Sequence, residues 1–166
     1  MPAFNERRRV RHTPGDMFDL VADVEAYPGF VPLCEGLVVR SRSSDGERQL
    51  LLATLTVGYK FIRESFTCRV TLDRPNLAIA ADYVDGPFKR LQNLWRFEAA
   101  GPSATDVHFA IDYEFRSRPF EALMGAVFDR AFRRFAEAFE NRANQLYGAK
   151  TGRAPAAGPR LKTSLT

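Results

Sequence analysis

The residues that could do chemistry in this sequence are few and are not grouped in a catalytic pattern. The chain contains two histidines, His12 and His108, and two cysteines, Cys34 and Cys68. Neither histidine stands with a serine or cysteine nucleophile, and the His and Cys spacing of a zinc site is absent. No GxGxxG or GxxxxGK[ST] loop for a nucleotide occurs either. The sequence therefore predicts no catalytic residue and no metal site.

Glu64 is the charged residue whose position most favours a role in binding. It alternates in phase with Phe66 and Cys68, so a strand would turn its carboxylate toward the apolar face. Two interpretations stay open. Glu64 is either a strand-end residue that reaches water or an arginine, or a polar anchor for the head group of a ligand.

Basic residues are concentrated at the two ends of the chain. The net charge is +4, and residues 149–166 hold four basic residues and no acidic one: Lys150, Arg153, Arg160 and Lys162. Residues 1–148 are therefore neutral, which argues against a DNA-binding domain. We expect one domain over 1–148 and a disordered basic tail over 149–166.

The first strand carries its own cluster of arginines. Arg7, Arg8, Arg9 and Arg11 suit an edge strand protected by charge, or a surface that meets anionic lipid or RNA phosphate. The pattern leaves both interpretations open.

The elements that must position these residues are read from periodicity. Alternation of apolar and polar residues predicts seven strands, at 4–11, 34–42, 47–60, 61–73, 77–84, 88–98 and 105–116. Short turns between them favour antiparallel pairing. Thr13 and Pro14 predict the start of a short helix after the first strand, whereas Pro28 and Pro32 argue against a regular element at 27–32.

A single long helix is predicted over 119–147. Apolar residues, many of them phenylalanine, recur there with the helical period, and the span would be roughly 43 Å long. Gly125 is expected to leave space or a bend near its start. The predicted fold is α+β, with a seven-stranded antiparallel sheet curved around this C-terminal helix.

The inward face of the predicted sheet is apolar and rich in aromatic residues. Alternation and helical period place on it the candidate ligand-binding residues Leu55, Phe66, Leu91, Trp95, Phe109, Tyr113, Val127, Phe128 and Phe135. This face is either a packed core or the wall of a cavity between sheet and helix. Small residues among the aromatics, such as Ala53 and Ala81, favour a cavity.

Two segments resemble a known family. Residues 26–34, AYPGFVPLC, and residues 86–97, GPFKRLQNLWRF, resemble the coenzyme Q-binding proteins of the START-like polyketide cyclase superfamily. Bacterial relatives in that branch are described as ribosome-associated toxins. The resemblance implies a helix-grip fold with a cavity for ubiquinone or a related polyisoprenoid lipid. By motif it places these residues near the cavity or its mouth: Tyr27, Phe30, Pro32, Phe88, Leu91 and Trp95.

The function expected from this resemblance is a non-enzymatic carrier of ubiquinone that supports respiration or quinone biosynthesis. Ubiquinone is then a bound ligand, and no other cofactor is expected. The alternative is a ribosome-binding protein that interferes with subunit association. A cyclase or hydrolase is a third class, but it needs an acid–base pair in the cavity that the sequence does not offer.

Location and the cavity mouth are also predicted. Two distant cysteines and the absence of an apolar leader suggest a cytoplasmic protein, with peripheral contact between the basic tail and an anionic inner membrane. The mouth of the cavity is expected where the 27–32 loop faces the 85–88 turn.

Overall fold

The computed structural model describes residues 3–148, and the predicted basic tail at 149–166 lies outside them. The chain is folded as a strand, two short helices, six strands and two helices. Their bounds are β1 Ala3–Val10, α1 Pro14–Ala22, a 3-10 helix Val24–Gly29, β2 Cys34–Asp45, β3 Arg48–Tyr59, β4 Ile62–Asp73, β5 Ala78–Asp85, β6 Phe88–Ala99, β7 Thr105–Phe115, α2 Arg118–Arg133 and α3 Phe135–Tyr147.

The strands form one antiparallel sheet in the order β1-β7-β6-β5-β4-β3-β2. The predicted seven-stranded sheet beneath C-terminal helices is confirmed. Strands β2 to β7 follow one another as hairpins, while β1 pairs with β7 at the far end of the chain. Strands β1 and β2 are therefore the two edges, as the charge on β1 suggested.

The C-terminal helix is not continuous, so the prediction of one helix over 119–147 is wrong. It divides at Arg134, whose amide donates to the carbonyl of Ala131 at 3.0 Å. This tight i→i−3 bond replaces the regular α-helical bond. Gly125 lies inside α2 and no break occurs there, so the expected bend is nine positions further along at Arg134.

A 3-10 helix occupies Val24–Gly29, although prolines at 28 and 32 had argued against a regular element. Pro28 fits because the local bonds are donated by its neighbours: Ala26 bonds to Asp23, while Phe30 and Val31 bond to Tyr27. The hydroxyl of Tyr27 also donates to the carbonyl of Val21. This helix packs the Tyr27 ring against Phe139 of α3.

The inward rows predicted from alternation are confirmed in the core. Phe109 and Tyr113 on β7 are buried, as are Leu91 and Trp95 on β6. Phe88 is fully buried and is surrounded by the rings of Phe66, Tyr83, Tyr113, Phe115 and Phe128. One end of the space between sheet and helices is thus filled with aromatic side chains.

None of the helices in residues 3–148 has the length and apolar character needed to cross a membrane.

Candidate ligand-binding cavity

An apolar cavity lies between the concave face of the sheet and the C-terminal helices. It encloses about 110 Å³ of free space. Its walls come from the 3-10 helix and the start of β2, from the middle of β3 to β7, and from α2 with the start of α3. The lining residues are Val24, Tyr27, Val31, Pro32, Leu33, Cys34, Leu37, Ala53, Leu55, Val57, Phe66, Cys68, Val70, Ile79, Ala81, Leu91, Asn93, Trp95, Ile111, Phe128, Ala131, Phe132 and Phe135.

The size of this cavity limits what it can enclose. An apolar protein cavity of about 150 Å³ holds a benzene molecule, so 110 Å³ encloses part of a ring or one branched unit of a lipid. A longer chain would have to continue out through an opening. The small lining residues Ala53, Ala81 and Ala131 leave this space, because larger side chains at those positions would fill it.

Asn93 places an amide group in the otherwise apolar wall. Its Oδ1 accepts a hydrogen bond from Trp95 Nε1 at 3.0 Å, and its Nδ2 donates to the carbonyl of Ala110 at 2.9 Å. These two bonds fix the orientation of the amide. A second N–H on Nδ2 has no partner among residues 3–148, so the amide retains a donor for a carbonyl oxygen of a ligand.

The two thiols and the phenol in the wall are kept neutral. Burial raises the pKa of Cys34 to about 11 and that of Cys68 to about 12. Burial also raises the pKa of Tyr27 well above its ordinary value. Low thiolate content makes both cysteines poor nucleophiles at neutral pH. The lining therefore presents an uncharged surface to a ligand.

Several of the predicted site residues meet at this cavity. Those lining it are Tyr27, Pro32, Leu55, Phe66, Leu91, Trp95, Phe128 and Phe135. They come from three strands, from the segment 27–32 and from both C-terminal helices. The sequence thus identified residues on both walls.

Other predicted site residues lie away from the cavity. Phe109 and Tyr113 pack under Phe135 and Phe132, and Val127 packs on the core beside the cavity. Phe30 packs edge-on against Tyr27 and Phe139. Glu64 keeps the inward phase of Phe66, but it is half-buried near the start of β4 and does not line the space.

The predicted mouth needs correction because Phe88 is fully buried in the aromatic cluster. It cannot form an exposed rim opposite the 27–32 loop. The turn before it is close-packed: Gly86 has φ +143°, and a Cβ there would lie 2.5 Å from Phe66 Cβ. That turn therefore supports the wall at Phe66.

The cavity opens instead beside β2 to β4. The half-exposed members of its lining include Leu33 just before β2, Leu37 on β2, Leu55 on β3 and Phe66 on β4. Helix α2 contacts β7 and β1, and the Arg133 guanidinium lies 4.7 Å from the centre of the Phe4 ring on β1. The β2–β4 part of the sheet is therefore the part that α2 covers least.

Asn93, the only amide side chain among the lining residues of 3–148, was not among the predicted site residues. Asn93 alternates in phase with Leu91 and Trp95, and this phase is the signal that could have identified it. Ala131 and Phe132 were also missed, although they share the helical face of Phe128. Leu33 was not predicted to line the cavity. It lies just before β2, and its φ of +67° is not that of a strand residue.

The other polar clusters of the fold are structural. Arg7 and Arg9 both bind Asp106, and Arg8 binds Glu6 and Glu140. The charge of the first strand is therefore partly neutralised by its neighbours. Within residues 3–148, no group of three His, Cys, Asp or Glu side chains is arranged to hold a metal ion.

The two histidines lie far from the cavity wall. His12 is buried, with Nε2 at 2.7 Å from Oδ1 of Asn144 on α3. His108 lies on the outer face of β7 and is 3.3 Å from Glu98, as alternation had placed it. Neither is among the lining residues.

Comparison with known proteins gives one family over most of the chain. A family model described as polyketide cyclase / dehydrase and lipid transport matches residues 10–140. The chain is 33% identical over 150 residues to a ribosome association toxin, RatA, of Escherichia coli (strain K12), which covers 90% of this chain and 92% of that protein. It is 28% identical over 149 residues to the mitochondrial coenzyme Q-binding protein COQ10 homolog B of Xenopus laevis, covering 87% of this chain and 59% of that protein.

Solved structures share the architecture. The solution structure of the 18 kDa protein CC1736 from Caulobacter crescentus is 40% identical, with a TM-score of 0.73, and covers 90% of this chain and 100% of that one. The Zhui aromatase/cyclase from a Streptomyces species is 19% identical, with a TM-score of 0.72 over 87% of this chain and 94% of that one. The second likeness concerns the fold alone.

Proposed function

The chain belongs to the polyketide cyclase / dehydrase and lipid transport family, and we propose that it is a non-enzymatic carrier of ubiquinone or a similar polyisoprenoid quinone. The family membership confirms the START-like resemblance read from residues 26–34 and 86–97. The observation that carries the proposal is an apolar cavity with one oriented amide, Asn93, in its wall.

The amide would orient the quinone ring. A quinone carries carbonyl oxygens, which accept hydrogen bonds and do not donate them. The remaining N–H of Asn93 matches this chemistry, and Trp95 and Ala110 hold the amide in place. A few polar groups in an apolar pocket commonly fix the orientation of a ligand in this way.

The apolar wall would hold the beginning of the prenyl tail. Each buried CH₂-sized group contributes about 0.8 kcal/mol, so a few carbons placed among Leu55, Phe66 and Phe132 would add substantially to affinity. The rest of the tail would leave between α2 and strands β2–β4. The neutral thiols and phenol are compatible with storing a quinone without reacting with it.

A paired substitution on β5 tests the proposal. Ala81 lines the cavity, whereas its neighbour Ala80 faces the opposite side of the sheet. Ala81→Leu should fill the cavity and weaken ubiquinone binding about tenfold or more, because a ligand group of similar volume is displaced. Ala80→Leu adds the same atoms outside and should bind normally. Equal affinities of both variants and the wild type would contradict the proposal.

The bound ligand can be identified directly. Purified full-length protein should yield a quinone or another polyisoprenoid lipid on organic extraction followed by mass spectrometry. Wild-type protein that contains no lipid and does not bind added ubiquinone would remove the carrier function.

Ribosome association is a second candidate, favoured by the toxin relatives named for it. The chain would then sediment with ribosomal subunits in a sucrose gradient, and Ala81→Leu would sediment as the wild type does. The arginines of β1 offer limited support, because Arg7 and Arg9 are already bound to Asp106.

A further inference from the structure

We propose that the open side of the cavity docks on an anionic lipid bilayer. The docking surface, here called the rim, consists of the β3–β4 turn with Phe61 on one side and the Leu123–Arg134 flank of α2 on the other. The proposal rests on the proposed carrier function, since a carrier must exchange its ligand with a membrane. Docking itself can be measured without any quinone.

The β3–β4 turn presents a large apolar side chain to solvent. Phe61, at the tip of this turn, is 88% exposed. Lys60 beside it adopts φ +57°, and its Nζ lies 5.4 Å from the centre of the Tyr59 ring. Tyr59 and Ile62, which pair across the turn, are half-buried and support it. The turn therefore carries an exposed aromatic ring and a cation on a firm base.

A second apolar side chain lies on α2. Leu123 is 61% exposed, and Val127, one turn later, is half-buried. The Arg133 side of α2 rests on Phe4 of β1. Leu123 and Val127 continue at four-residue spacing to Ala131, which lines the cavity, so this flank of α2 borders the cavity.

Topology brings these two groups to one end of the molecule. In an antiparallel sheet, β3 ends and β4 begins at the same end where β7 ends, and α2 begins immediately after β7. Phe61 and the first turns of α2 are thus at one end of the fold. The half-exposed lining residues Leu33 and Phe66 lie at this same end. The aromatic cluster around Phe88 fills the β5–β7 side of this end, so the rim borders the cavity on the β2–β4 side.

The rim is also cationic. Lys60 lies on the turn, whereas Arg130 and Arg134 lie roughly 10–17 Å further along α2 than Leu123. All three are exposed, and within residues 3–148 none of them makes an ion pair with a carboxylate. Arg63 is neutralised by Glu35 at 2.8 Å, and Glu64 is half-buried. Exposed cations around apolar side chains complement a bilayer with anionic head groups, since the apolar groups enter the interface and the cations remain at the phosphates.

A second copy of the chain fits this surface less well. A two-fold contact through the rim would bury Phe61 and Leu123, but it would also bring the cations of one copy toward those of the other. Like charges at an interface oppose association. The charge pattern thus favours a bilayer over self-association.

Cosedimentation of the full-length protein with vesicles tests the proposal. The vesicles are phosphatidylcholine alone, or phosphatidylcholine mixed with phosphatidylglycerol, both without quinone. Phe61→Ser and Leu123→Ser should weaken binding to the mixed vesicles about tenfold, as loss of an inserted apolar group requires. The matched control is Leu94→Ser, which removes a 45% exposed leucine from the outer face of β6 and should bind normally.

The charges are tested in the same assay. Arg130→Gln with Arg134→Gln should weaken binding to the mixed vesicles and leave the weak binding to phosphatidylcholine unchanged. Arg69→Gln, which removes an exposed arginine from the outer face of β4, is the control. The basic residues at 149–166 are present in every variant, so they do not account for a difference between variants.

Three outcomes would overturn the proposal: no vesicle binding by the wild type, equal losses in rim and control variants, or a dimer that Phe61→Ser converts to a monomer.

Titration with a short-chain ubiquinone in the absence of vesicles separates the two proposals. Phe61→Ser should bind this quinone normally. If the wild type does not bind the short-chain ubiquinone, the carrier function is contradicted. If vesicle binding still depends on the rim residues in that case, the docking surface is supported without it.

Discussion

At the scale of single residues, Asn93 has a structural role and is the proposed hydrogen-bond donor to the ligand. Its amide joins Trp95 on the same strand to Ala110 on β7, and it faces a cavity that is otherwise apolar. A side chain held by two bonds loses little further freedom when a ligand binds. Asn93 is therefore a pre-oriented donor rather than a flexible one.

Asn93→Leu should lower the affinity for ubiquinone about tenfold, because one hydrogen bond to the ring is lost. It should also lower the free energy of unfolding by about 1–3 kcal/mol, since Trp95 Nε1 and the Ala110 carbonyl lose their partner. A prenyl hydrocarbon without a carbonyl group is the control ligand. If its affinity falls as much as that of ubiquinone, the amide acts only on the structure of the cavity.

The sequence allowed the apolar lining to be predicted better than its polar group. Leu91 and Trp95 were identified because two-residue alternation marks large apolar side chains. Asn93 lies between them in the same phase, but asparagine is common in exposed positions, so its phase carried little weight. For Glu64 two interpretations were open, and its half-buried position near the start of β4, outside the lining, favours the strand-end residue over the polar anchor.

At the scale of elements, the turn between β5 and β6 sets the position of a cavity wall. A Cβ at Gly86 would lie 2.5 Å from the Cβ of Phe66 and 3.0 Å from the carbonyl oxygen of Ser65. Only a residue without a side chain allows the turn to pack this closely against β4. The lining at Phe66 thus depends on a residue outside the cavity.

Gly86→Ala should destabilise the protein more than Gly101→Ala does. Both glycines have positive φ, at +143° and +120°, but a Cβ at Gly101 meets nothing within 4 Å. The extra cost at Gly86 should be about 1–3 kcal/mol, the usual result of overpacking. Urea unfolding of the two variants measures the difference, and equal losses would show that φ alone matters.

A second element-scale prediction concerns the attachment of β1 to β7. Hydrogen bonds from Arg9 and Arg7 hold the pKa of Asp106 well below its ordinary value. A carboxylate with a depressed pKa in the folded state stabilises the protein above its unfolded pKa of about 4. This contribution is lost as the pH falls from about 4 through the lower folded-state value.

The melting temperature of the wild type should therefore fall below about pH 4 more steeply than that of Asp106→Asn. Asp45→Asn is the matched control, because Asp45 forms an exposed pair with Arg48 inside a single hairpin. Its pH profile should follow that of the wild type. If Asp106→Asn also follows the wild type, the two arginines do not bind the carboxylate in solution.

Element boundaries were predicted well where local pattern determines them. The strands begin and end within a few residues of their predicted limits, because Gly and Pro turns interrupt a clear alternation. The break at Arg134 could not be predicted, since no Gly or Pro marks it and the apolar period continues through Phe132 and Phe135. Those two rings pack against β7 at Tyr113 and Phe109, so tertiary contacts select the break.

At the scale of the whole molecule, ligand binding and stability are coupled. A ligand that binds only the folded state stabilises it by about 2.7 kcal/mol at a concentration of 100 times Kd. For a domain of this size, each kcal/mol raises the melting temperature by about 2–4 °C. Ubiquinone at that concentration should thus raise the melting temperature of the wild type by about 5–10 °C.

Differential scanning fluorimetry of the variants Ala80→Leu and Ala81→Leu, each with and without ubiquinone, provides the check. The quinone-dependent rise should be retained in Ala80→Leu and greatly reduced in Ala81→Leu. A rise of equal size in both variants would locate the binding site away from the cavity, for example in the shallow groove on the outer face that Ala80 lines.

The pairing of β1 with β7 has a consequence for the synthesis of the chain. The strands from β2 to β7 can pair with neighbours as they are made, but Arg7 meets Asp106 only after another 99 residues have been added. At about 5–20 residues per second, that delay is of the order of 5–20 s. During this time the arginine-rich first segment remains unpaired near the ribosome, and the outer edge of the growing sheet has no partner until β7 is complete. Closure of the sheet is therefore a late event of translation.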